Sequence, residues 1–99
     1  MNKVYRALAD PTRRKIMELL RERDMTAGEI AGHFGLSKPT LSKHFAVLKE
    51  ADLIQGDKVG TTITYHLNVS ALEEALLALM NAFDLLRGGS KDGRTEDQS

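Results

Sequence analysis

Apolar side chains recur at intervals of three and four through the first half of the chain, switch to intervals of two after Ala51, and return to helical spacing near the end. Val4, Tyr5 and Leu8 give a first helix an apolar edge, although the segment is too short to stand alone. Asp10-Pro11 opens a second. Asp accepts the free amides as N-cap, Pro at the first helical position loses no hydrogen bond, and Ile16, Leu19 and Leu20 then carry one buried face over residues 11–23. Thr26 followed by Glu29 is a capping box, and Ala27, Ile30, Ala31 and Phe34 extend a third amphipathic helix over 26–34, stopped by Gly35. Ser37 caps a fourth helix, Pro39 is tolerated in its first turn, and Leu41, Phe45 and Leu48 mark its buried stripe.

Beyond that, Ile63, Tyr65 and Leu67 alternate with Thr62, Thr64 and His66, and Leu53-Ile54 begins a partner strand. Gly56 and Gly60 bracket Asp57-Lys58-Val59, so an antiparallel hairpin is expected with its tip near 58–61. Asn68 or Ser70 starts a last helix running to Arg87. Thirteen of the 18 residues from Val69 to Leu86 are apolar, more than one buried stripe needs, which implies a second partner surface. Residues 88–99 contain no apolar side chain and read as a disordered tail after a single domain, 1–87. The expectation is a mainly α fold with five helices and a two-stranded wing, ordered helix, helix, helix, helix, strand, strand, helix.

Charge changes the picture only when it is located. The 99 residues hold 14 Lys/Arg and 14 Asp/Glu, so no global field draws the chain to nucleic acid. Yet residues 1–24 carry seven cations against four acids, 68–99 carry three against six, and the stretch from Leu36 to Lys49 has three lysines and no acid. The absence of cysteine removes disulfides, thiolate metal sites and thiol redox chemistry. The opening residues lack the apolar run of a signal peptide, which points to a cytoplasmic protein. Glu73, Glu74, Asn81 and Asp84 argue against a membrane span in the last helix.

A wheel at about 100° per residue gathers Leu41, Phe45 and Leu48 on one side of the fourth helix. Pro39, Thr40, Lys43, Ala46 and Val47 lie opposite, with Ser42 and His44 at the margins. That outward face is small, polar and basic, and offers hydroxyl, ammonium and imidazole groups to phosphates and base edges. Together with the short Gly35-Leu36 link, the element order is that of a winged helix-turn-helix. Three ordered motifs carry a resemblance: Asp10-Pro11-Thr12-Arg13-Arg14-Lys15-Ile16, Thr26-Ala27-Gly28-Glu29-Ile30-Ala31, and Ser37-Lys38-Pro39-Thr40-Leu41-Ser42-Lys43-His44. They resemble the ArsR/SmtB family of bacterial repressors, and within it the SdpR-type autorepressors that lack metal sites, over roughly residues 3–86.

The resemblance implies a homodimeric repressor on double-stranded DNA, with the fourth helix in the major groove and the first and last helices forming the dimer interface. The residues expected at DNA are Ser37, Lys38, Pro39, Thr40, Ser42, Lys43 and His44, with Thr26 as cap or phosphate contact and Lys58 as the cation of the wing. Those expected between protomers are Val4, Tyr5, Leu8, Leu72, Leu76, Leu79, Met80 and Phe83. The family's metal sensors carry thiolates on the third helix and histidines on the last. Here Asp24 to Ile30 has no cysteine and Val69 to Arg87 no histidine, so neither metal nor cofactor is expected. A zinc site built from His33, His44 and His66 would need tertiary convergence. Arg13 and Arg14 either touch phosphate or pair with Glu18 or Asp24. Met17, Met25 and Met80 read as core filler. The alternative to DNA binding is a protein-interaction module whose working surface is the apolar last helix. Repression would be relieved by a small ligand, a sequestering partner protein or concentration alone. No enzymatic constellation is present.

Overall fold

In the computed structural model, which describes residues 2–85, the elements run α1 (Asn2–Leu8), α2 (Pro11–Glu22), β1 (Met25–Thr26), α3 (Ala27–Ala31), α4 (Lys38–Glu50), β2 (Ile54–Val59), β3 (Thr62–Leu67) and α5 (Val69–Ala82). The expected tail, 88–99, lies outside the described residues. The caps behave as local chemistry requires. The Asp10 carboxylate accepts from the Arg13 amide at 3.1 Å, Ser37 Oγ from the Thr40 amide at 3.3 Å, and Asn68, rather than Ser70, from the Ala71 amide at 3.3 Å.

Three expectations need correction. The wing is not a free two-stranded hairpin: Met25-Thr26 pairs antiparallel with β3, Met25 opposite Tyr65, giving a three-stranded sheet in the order β1-β3-β2. Burying Met25 brings its backbone to the edge of β3, where its polar groups find ladder partners. The third helix ends at Ala31 instead of Phe34. Gly28 and Gly32 weaken it, and the His33 and Phe34 amides fold back to the Ile30 and Ala31 carbonyls in tighter turns. The last helix stops at Ala82, since Phe83 caps it and Asp84 takes φ 58°; residues 86 and 87 lie outside the described set.

Ile16, Ile30, Leu48, Leu53 and Ile54 are sealed in one core drawn from α2, α3, α4, β2 and the α4–β2 corner. Phe45 stacks obliquely on Tyr65, ring centroids 4.6 Å apart, which fastens α4 to the sheet. The Tyr65 ring lies so close to β2 that a Cβ at Gly56 would sit 3.0 Å from Tyr65 Cε1 and from Ile63 Cγ2. Gly60, at φ +63°, takes the first position of the two-residue loop between Val59 and Thr62, where a hairpin turn of this kind demands glycine.

The exit from α4 is equally defined. Asp52 adopts φ 62°, its amide donates to the Lys49 carbonyl at 2.9 Å, and the Leu53 amide reaches back to the Leu48 carbonyl at 3.0 Å. This is a Schellman closure with a non-glycine residue at the left-handed position, and it brings Leu48 and Leu53 together in the core. Asn68 then ties the start of α5 to the same corner, its amide donating to the Leu53 carbonyl and its Nδ2 to the Asp52 carbonyl. The exit from α4 into β2 is therefore held by hydrogen bonds to main-chain carbonyls.

Candidate nucleic-acid interface

The face of α4 left open by this packing is the one the wheel selects. Ser37, Lys38, Pro39, Thr40, Ser42, Lys43 and Ala46 are all exposed, while Leu41, Phe45 and Leu48 are buried. Ser37 Oγ donates to Thr40 Oγ1 at 2.9 Å, so those two hydroxyls hold each other in register at the helix start. The side chains of Lys38, Ser42 and Lys43 have no hydrogen bond or ion pair to other described residues. Two cations and a hydroxyl thus stand unpaired on a surface with no carboxylate before Glu50. Val47 departs from the wheel, half-buried against the core.

His44 is placed differently from its neighbours. Its side chain is 16% exposed and turns toward the start of α2, with Nδ1 3.2 Å from Arg13 Nη1 and 3.9 Å from Asp10 Oδ2. Arginine can only donate, so in the neutral imidazole Nδ1 accepts and the ring proton sits on Nε2. The same guanidinium donates through Nε to the Ala7 carbonyl at 3.0 Å and through Nη2 to the Arg6 carbonyl at 2.6 Å. Arg14 does likewise to the Leu8 carbonyl at 2.7 Å. Of the two alternatives for these arginines, pairing with Glu18 or Asp24 is corrected: the last carbonyls of α1 have no following helical turn, the Arg6 carbonyl taking only the Ala9 amide at 3.4 Å, and the guanidiniums satisfy them. Glu18 pairs instead with Lys15, at 3.8 Å.

Burial pulls the Asp10 carboxyl upward. The Arg13 amide, the imidazolium form of His44 and the Arg13 charge outweigh that pull and hold the group below its ordinary value. At the start of α3, Thr26 forms the full capping box: the Glu29 amide donates to its hydroxyl at 3.1 Å and its own amide to Glu29 Oε1 at 2.9 Å. The Thr26 amide, aided by Arg23 3.5 Å away, keeps Glu29 below the usual carboxylate range. An ionised carboxylate therefore already stands where a phosphate would have to approach Thr26.

In the wing, the register places Ile54, Gly56 and Lys58 on the face of Ile63, Tyr65 and Leu67, the face packed on α4. Lys58 projects from that side at the exposed tip, beside Val59, which is 78% exposed. The opposite face carries His66, braced by Gln55 at 2.9 Å and Asp57 at 3.6 Å. His33 lies in the turn after α3, His44 on α4 and His66 on β3. Among the described residues no group of three or more His, Cys, Asp or Glu gathers to hold a metal.

The residues assigned to a protomer contact occupy α1 and α5. Tyr5, Leu76 and Phe83 are exposed, whereas Val4, Leu8, Leu72, Leu79 and Met80 are half-buried. Ala75 is the one buried side chain of α5, so much of this apolar helix is left partly or fully uncovered by the described residues. No described helix is long and apolar enough to cross a membrane. Two features had no signal in the sequence: the Arg13–His44 link, which joins residues 31 apart, and a cleft in which Arg6 of α1 meets Lys43, Ala46, Val47 and Glu50 of α4.

Comparison with known proteins agrees with this fold. Residues 10–55 match the model of the bacterial regulatory protein arsR family. The transcriptional repressor SdpR of Bacillus subtilis is 47% identical over 81 residues, covering 82% of this chain and 90% of that protein. Among solved structures, the ArsR family transcriptional regulator RHA00566 superposes with a TM-score of 0.78 at 28% identity, covering 87% of this chain and 94% of the other. The homodimeric winged helix-turn-helix DNA-binding domain of Mb0332 from Mycobacterium bovis superposes with a TM-score of 0.67 at 26% identity, covering 86% and 80%.

Proposed function

This chain belongs to the arsR family and is a DNA-binding transcriptional repressor rather than an enzyme, and from that premise we propose that it acts as a homodimer reading an inverted repeat. The α1 and α5 surfaces of two copies pair, and the two α4 helices enter successive major grooves about one turn, ~34 Å, apart. Lys38 and Lys43 neutralise phosphates, Ser42 and Thr40 reach polar edges in the groove, and Ser37 and Pro39 shape the first turn against its wall. His44 acts from behind, holding α4 to α2 through Arg13. Lys58 supplies the cation of the wing, and Thr26 serves as a cap.

One observation carries this reading: the open face of α4 holds Lys38, Ser42 and Lys43 without internal partners and without a carboxylate among them. A scaffold has no use for uncompensated charge there, whereas a phosphate does. The promoter of the repressor's own gene is the first operator to test, in the cytoplasm where that DNA resides. Release would follow from whatever withdraws α5 from the pair, a sequestering partner protein among the agents.

The test is retention of genomic fragments on the purified chain, followed by salt titration on the recovered duplex. With about four phosphates neutralised per protomer, log K falls against log salt with a slope of about −7. Replacing Lys38 and Lys43 together by alanine should flatten that slope by about 4 and weaken retention of genomic and random duplexes by a similar factor. Equal retention of random and genomic duplexes by the wild type would overturn the proposal.

A further inference from the structure

Arg6 belongs to α1, outside every residue assigned above to DNA. With Lys43, Ala46, Val47 and Glu50 it lines an open cleft of about 490 Å³ between α1 and α4. Its side chain is exposed and has neither hydrogen bond nor ion pair to the other described residues. Asp10, the N-cap of α2 four positions on, is turned to the Arg13 amide and His44. Glu50, the one carboxylate lining the cleft, forms no ion pair with it either.

The backbone at this position, by contrast, is held. The Arg6 carbonyl takes the Arg13 guanidinium at 2.6 Å, and the same guanidinium reaches His44 on α4. Arg13 thus fixes the Arg6 main chain relative to the reading helix while leaving its side chain free. Besides the two cations and Glu50, the cleft is lined by the small Ala46 and the half-buried Val47, so no bulky aromatic or long apolar side chain fills it. Two unpaired cations across one shallow cleft repel each other, and the pair is stabilised by an anion placed between or beside them.

We infer that Arg6 contacts the DNA backbone, its guanidinium reaching a phosphate at the edge of the groove that α4 enters. The inference rests on the DNA-binding reading of α4 and deepens it. The helix that carries the dimer-facing Val4 and Tyr5 also grips the duplex, and Glu50 marks where the footprint ends.

The test compares the full wild-type chain with Arg6→Gln, Arg6→Lys and Lys43→Ala. Each is titrated against the genomic duplex recovered above and a random-sequence duplex, from about 50 to about 200 mM salt. Arg6→Gln should make the slope of log K against log salt shallower by about 2 for the dimer, near 0.9 for each of two phosphates. Its affinity should drop by a similar factor on both duplexes, because phosphates carry no sequence. Arg6→Lys should keep the wild-type slope. Arg6→Gln should melt with the wild type, since Arg13 holds only the carbonyl. A wild-type slope in Arg6→Gln, with Lys43→Ala flattened, overturns the inference and leaves the α4 reading standing. A wild-type chain without salt dependence overturns both.

Discussion

Removing the Arg13 guanidinium tests how the reading helix is held. In Arg13→Ala the Arg6 carbonyl keeps only the long bond from the Ala9 amide, 3.4 Å, the Ala7 carbonyl loses its guanidinium donor and His44 Nδ1 loses its partner, three bonds at 2.6, 3.0 and 3.2 Å. A hydrogen bond to a charged group contributes about 1.5–3 kcal/mol where water is excluded. Here the Arg6 bond is exposed and the other two part-buried, so water recovers much of each. The sum is on the order of 2–3 kcal/mol. In a domain of this size about 1 kcal/mol shifts Tm by ~4–8 °C, so a fall of roughly 10–20 °C is expected. The assay is a circular-dichroism melt at matched protein concentration, because the proposed pairing of protomers would make Tm concentration-dependent. Arg13→Lys, with a charge but no planar fork, should fall between the two. An Arg13→Ala melt within about 3 °C of wild type would refute the view that this side chain joins α1, α2 and α4.

Gly56→Ala should destabilise by about 1–3 kcal/mol, because its Cβ would sit 3.0 Å from the Tyr65 ring and Ile63; an unchanged denaturation midpoint would contradict that. Asp52→Gly relieves the left-handed φ of 62° at the end of α4 and should stabilise by up to ~1 kcal/mol, read in the same titration. A loss of stability there would count against the closure described. The lowered carboxyls of Asp10 and Glu29 mean that the unfolded chain binds more protons, so their contribution is present above about pH 4 and is lost as pH falls through their folded values. Tm should therefore drop on acidification below about pH 4, and less steeply in Asp10→Asn, which keeps a capping side chain; parallel profiles would contradict the assignment. Leu76→Glu with Phe83→Glu should give a folded monomer by sedimentation, since both side chains are exposed in the single chain; a persisting dimer would exclude α5 as its interface.

Most of the architecture was legible because its signals are local. Asp10-Pro11, Thr26 with Glu29, and Ser37 each begin a helix where an amide within three residues needs an acceptor, and that need is written in adjacent positions. Periodicity likewise separated the buried Leu41, Phe45 and Leu48 from the open Lys38, Ser42 and Lys43. It misjudged the end of α3, because the turns after Ala31 keep Phe34 against the core without continuing the helix.

What the chain's order alone determined is the set of elements, their caps and which side of α4 is basic. Tertiary structure decided which of those polar groups remain free. His44 and Asp10 are consumed by Arg13 across 31 and three positions, Met25 and Thr26 become a strand only because β3 offers them a ladder, and Arg6 meets Lys43 only because α1 crosses α4. Local pattern fixes a side chain's direction on its own element. Whether that direction ends in solvent or on a partner depends on contacts between residues far apart in sequence, and no spacing rule records those.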